Sequence, residues 1–128
     1  MAYSTSTQVQ SEFKDITFSA STAVTDTEVG ELISMSDAEI DGRLSNRYTV
    51  PITGTTSLLI LRTISILLTA ARISKIIEVK TGESDKDMPR RMEERNNALK
   101  MIDDIVSGKL VLTDASAKSS AVRSYNYD

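Results

Sequence analysis

The chain has 128 residues, 40% of them hydrophobic, which is enough for one core and too little for two domains. It contains neither cysteine nor histidine, which removes disulfides, thiolate and imidazole metal ligands, and the Cys-His and Ser-His pairs of nucleophilic catalysis. A formal charge of -3, from 18 acidic and 15 basic residues, lacks the basic excess of a dedicated nucleic-acid binder, and 5% aromatic content without Trp suits base stacking poorly.

The opening stretch, MAYSTSTQVQ, has neither the charged start nor the apolar run of a signal peptide, so the expected site of synthesis is a cytoplasm. Residues 1–24 are rich in Ser and Thr, with Val9, Phe13, Ile16 and Phe18 as the large apolar groups before Val24. They read as an N-terminal arm: a short helix capped by Ser6 and running through Phe13, then an extended stretch that packs at a few points.

Residues 25–113 read as the helical domain. Thr25 and Glu28 have the spacing of a capping box, which predicts a helix start there. Val29, Leu32, Ile33, Ile40, Leu44 and Tyr48 then form an apolar stripe interrupted by Ser36, and Glu39 and Arg43 are oriented as an i, i+4 ion pair. Pro51 and Gly54 mark a turn-forming loop from Thr49 to Thr56. A second helix is predicted from about Leu58 to about Val79. Its polar positions Arg62, Ser65, Thr69, Arg72 and Lys75 form one narrow stripe, and these charges argue against a membrane span. The rest of its circumference is so apolar that two partner helices would struggle to cover it, which predicts burial between subunits as well as within one. Pro89 suits the first turn of a third helix bearing Met92, Ala98, Leu99, Ile102, Ile105 and Val106, and Gly108 is placed to end it. Residues 114–128 carry almost no core-forming side chains and read as an extended C-terminal tail. On that reading, deletion after Thr113 leaves the melt of the helical core nearly unchanged.

Few residues offer chemistry. Asp37 and Asp41 share a helix face, and Asp103 and Asp104 are adjacent, but both pairs read first as solvated helix surface. The stretch Asp85-Lys86-Asp87 lacks the glycine and the glutamate of a calcium loop. Arg90, Arg91 and Arg95 cluster at a helix start, where Glu93 and Glu94 would repel phosphates, so ion pairing is the preferred reading over DNA contact. There is no Gly-rich phosphate loop, nucleophile elbow or zinc spacing. Neither catalysis nor a cofactor or metal is expected. Arg62 and Arg72, set among Leu and Ile, must either snorkel to water or find a carboxylate across a subunit interface. With Ile66, Thr69 and Ile73 they make the candidate subunit interface. Tyr125 and Tyr127, with Val122 and Arg123 upstream, suit either a disordered end or an extended segment docking alternate side chains into a partner.

The run Ala38-Glu39-Ile40-Asp41-Gly42-Arg43-Leu44, then Arg47-Tyr48 and Pro51 before a long apolar helix, resembles the small helical head-tail connector proteins of tailed bacteriophages. These are also called adaptor or head-completion proteins, and the resemblance extends to their Mu-like group. The order of features agrees as well, from Glu12-Phe13-Lys14 in the arm to Ser107-Gly108-Lys109-Leu110 at the end of the last helix. The resemblance covers most of residues 9–112. It implies an all-α subunit that joins a ring, usually of twelve, below the portal and links the DNA-filled head to the tail. It also implies a virion neck location after synthesis in the host cytoplasm, with portal and tail or neck proteins as partners, passive passage of double-stranded DNA and no membrane. Flexible ends grip the portal or the next neck protein in that family, which assigns docking to Val122, Arg123, Tyr125 and Tyr127. The rival readings are another neck or tail-terminator ring protein, and a small helical DNA-binding regulator using Arg90, Arg91 and Arg95.

Overall fold

The computed structural model describes residues 2–83 and 86–117. Within them lie four helices: α1 (Ser6–Gln10), α2 (Asp26–Leu44), α3 (Thr55–Thr81) and α4 (Met88–Ser107). The fold is a small all-α bundle in which the 27-residue α3 is the central helix, packed on α4 along one flank and on α2 along another.

Local chemistry sets the helix ends. Thr25 accepts from the Glu28 backbone N–H while the Glu28 carboxylate accepts from the Thr25 N–H, so α2 starts on the predicted capping box. The arm uses the same device one residue earlier than predicted: Thr5, not Ser6, caps α1 with Gln8, and the helix stops at Gln10, short of Phe13. α3 and α4 end on Gly82 (φ 76°) and Gly108 (φ 88°), left-handed positions where a Cβ would be strained. Pro89 lies in the first turn of α4, as expected.

Two apolar clusters share α3. The first joins Ile40 and Leu44 of α2, Leu61, Ile64 and Leu68 of α3, and Ala98, Ile102 and Ile105 of α4, closed by Tyr3, Tyr48, Ile52 and Leu112. The second joins Val29 and Ile33 of α2 and Ala70 and Ile73 of α3 to Val9, Phe13 and Val24 of the arm, with Ile16, Phe18, Ile66 and Ile77 packed against it. Part of the surplus apolar surface of α3 is thus buried within the chain itself. The arm takes much of it, because its sparse apolar residues all converge on one flank of α3. By length and composition α3 meets the requirements of a membrane span, yet half of its most apolar window is buried inside the bundle.

The polar stripe of α3 is also not one solvated face. Ser65 and Thr69 are fully buried against α2, where Thr69 donates to Ser36 at 2.9 Å and Ser65 donates to Asp37 at 2.7 Å. Ser36, which breaks the apolar stripe of α2 in sequence, is the partner that makes this polar seam consistent with burial.

Candidate docking surfaces

Three features decide what the surface can offer: how the arm is held, how the C-terminal segment is held, and what remains open.

The arm is fastened by a residue that hydrophobic patterning passes over. Tyr3 is 4% exposed, its backbone N–H donates to Asp37 at 2.8 Å, and its hydroxyl donates to Asp41 while accepting from the Ile52 N–H at 2.8 Å. Ser4 exchanges a hydrogen bond with Ser65 at 2.7 Å. Asp37 is therefore 7% exposed, which corrects its reading as a solvated helix-face carboxylate. Burial raises its pKa, against the lowering effect of the Ser65 and Tyr3 bonds. Burial and the bond to Asp41 likewise push the Tyr3 phenol up. Further along, Lys80 donates to the Ala23 carbonyl at 2.8 Å and reaches Glu28 at 3.5 Å. Arg91 is 3% exposed, stacks 4.0 Å from the Phe13 ring centroid and donates to the Glu12 carbonyl at 2.9 Å. Of the three clustered arginines, then, Arg91 ties α4 to the arm, Arg90 pairs with Glu94 at 3.2 Å, and Arg95 is half-buried beside α3.

The motif residues after α2 organise the end where α4 stops and α3 starts. Arg47 lies over the C-terminus of α4, touching the site that a Gly108 side chain would occupy. The Tyr48 hydroxyl accepts from the Leu112 N–H at 3.1 Å, and the Val50–Pro51 peptide is cis. Asp114 then caps α3 from far away in sequence, accepting from Thr56 N–H at 2.6 Å, Ser57 N–H at 2.9 Å and the Ser57 hydroxyl. That Ser57 bond, with the two N–H groups, holds the Asp114 carboxyl below its usual range. A Cβ on Gly54 would run into Asp114, so Gly at this N-cap is what lets the C-terminal segment approach. Thr49 N–H donates to Ser116 at 2.7 Å, and Tyr48 bridges Ala117. Residues 114–117 are thus tied to the helical domain by contacts that the reading of a tail from 114 onward did not include.

The predicted interface set divides. Thr69 and Ile73 are fully buried within the chain. Ile66 is half-buried against the arm cluster, Arg72 pairs with Glu39 of its own subunit at 2.8 Å, and Arg62 is exposed. Val122, Arg123, Tyr125 and Tyr127 lie outside the described residues. Among the described residues, no group of three or more carboxylates is arranged to hold a metal ion. A largely apolar groove of about 340 Å³ lies between α2, α3 and α4, and Met35 and Met92 in it stand 52% and 38% exposed. Met92 belongs by spacing to the apolar stripe of α4, yet it faces this opening and not the core.

Fold and surface together define a small all-α protein stabilised by arm packing and by clamps on the ends of its helices. Residues 3–126 match the family described as Bacteriophage Mu, Gp36, and the chain belongs to that family. It is therefore a Mu-like phage protein. Comparison with curated proteins and with solved structures finds no match to this chain.

Proposed function

We propose that this chain is a structural head-tail connector subunit of a tailed-phage virion, assembling as a ring, of about twelve copies by family resemblance, between portal and tail and leaving a conduit for DNA. The observation that carries this reading is the family match over residues 3–126, joined to the connector-like order of motifs. The structure gives two of those motif residues architectural work: Arg47 and Tyr48 hold the C-terminal end of α4 and the segment after it against the bundle. A role without catalysis agrees with a chain lacking Cys and His. A net charge of -3 suits a wall past which DNA slides, since basic walls would retain phosphates. The regulator reading is weaker because Arg91, one of its three cations, is committed to Phe13 and the arm.

The test is genetic and structural. Phage lacking the chain should yield DNA-filled heads without stable tails, and imaging of complete particles should locate the subunit in the neck. Infectious, tailed particles that lack the protein would overturn the proposal.

A further inference from the structure

The groove between α2, α3 and α4 has an apolar floor of Leu32, Met35, Ile76 and Met92. Its lining also carries three cations, Arg72, Lys75 and Arg95, of which Arg72 pairs with Glu39 at 2.8 Å and Lys75 with Glu78 at 3.2 Å. Flexible, polarizable methionines at an opening suit a protein partner whose surface they can follow. With Arg95 added to the two paired cations, the lining favours a partner that brings a carboxylate.

We propose that the occupant is a second copy of this chain, which lays the outer face of its α2, around Glu31, Ser34, Ala38 and Asp41, across the groove. The inference rests on the ring-subunit reading above and names the contact that builds the ring. Charge complementarity is the first argument. From Asp26 to Gly42, α2 carries six carboxylates and no cation; Asp37 is buried and Glu28 and Glu39 pair with cations of their own chain, so on the outer face Glu31 and the half-buried Asp41 carry the charge. Glu31 is exposed, and Asp41 lines a recess of about 310 Å³ with Ala2, Ser34, Asp37 and Ala38.

Shape is the second argument. The groove offers protruding methionines, and the facing helix offers small side chains that let them approach its backbone. A Cβ built on Gly30 or Gly42 meets no atom within 4 Å, so packing inside the subunit does not require glycine at either position of α2. The C-terminal residues 118–128 are a poorer match for the cations of the groove, since Lys118 and Arg123 outnumber Asp128. Two different surfaces of one chain meeting in this way make a heterologous contact, which propagates from copy to copy and closes into a ring when its rotation allows.

The natural absence of cysteine permits a direct test. The full-length variant carrying both Ala38→Cys and Met92→Cys, concentrated and oxidised, should give a ladder of covalent trimers and larger species. A mixture of the two single variants should stop at one heterodimer, and the ladder should persist when Tyr125→Ala and Tyr127→Ala are added. Monomers only, homodimers from Met92→Cys alone, or loss of the ladder with the tyrosine changes would overturn the contact; the last result would name the C-terminal segment as the occupant. The same oxidation on virions separates the two readings. Virions that contain the variant without cross-links overturn this contact and leave the connector role standing. A ladder in solution from a chain absent from virions supports the contact and removes the connector role.

Discussion

Replacing Tyr3 by Phe deletes one oxygen and keeps the ring, so no cavity contribution arises. What is lost is a two-way link: the buried Ile52 N–H loses its acceptor, and Asp41 loses a donor. Ile52 is 1% exposed, so water cannot easily replace the hydroxyl, and leaving such a donor unpaired costs about 1–3 kcal/mol. Asp41 is partly exposed and regains hydration, so its share is small. The expected loss is about 2 kcal/mol. With an unfolding entropy near 2.1 cal/mol/K per residue, that loss lowers Tm by roughly 7 °C in a chain of this length. Thermal melts followed by far-UV circular dichroism, with urea unfolding to check that the m-value is unchanged, read this directly. Tyr48→Phe should behave similarly, because its hydroxyl serves the Leu112 N–H in the same way. A Tyr3→Phe chain melting within about 2 °C of wild type would refute the idea that this hydroxyl holds the arm to the Pro51 turn.

Asp37 should leave a signature in pH. Its folded pKa is raised by burial above the unfolded value of 3.8, so its contribution is fully present below that value and lost as pH rises through the folded pKa. The stability of wild type relative to Asp37→Asn should therefore fall as pH rises across that interval, measured by paired melts; a difference independent of pH would contradict this. Gly54→Ala should cost about 1–3 kcal/mol in urea unfolding, since it forces Asp114 from its seat on α3. Truncation after Thr113 should lower Tm by removing the Asp114 cap and the Ser116 bond, and an unchanged Tm would show that these contacts are dispensable. Ile73→Ala should cost about 2–5 kcal/mol, because its side chain is sealed between α2 and the arm, whereas Arg62→Ala at the surface should stay within about 0.5 kcal/mol.

Much of this protein is local and therefore written in the sequence. The capping box at Thr25, the proline in the first turn of α4 and the terminating Gly108 each act within a few residues of themselves, so a linear reading finds them. The absence of Cys and His acts at the level of chemistry and needs no fold at all. The three long helices follow from periodicity, and the ordered motifs around Arg47, Tyr48 and Pro51 point to the family.

Only the tertiary structure decided which polar groups go inside. Asp37, Ser65 and Thr69 look like surface until α2 lies against α3 and each finds a partner from the other helix or from Tyr3. Arg91 looks like part of a basic patch until Phe13 arrives beneath it from the arm. Asp114 looks like the first residue of a tail until the chain brings it back to the bare N-terminus of α3. The physical reason is common to all of them. Periodicity reports which residues share a face of one element, whereas burying a polar or charged group becomes favourable only when a specific partner, distant in sequence, supplies the matching donor or acceptor.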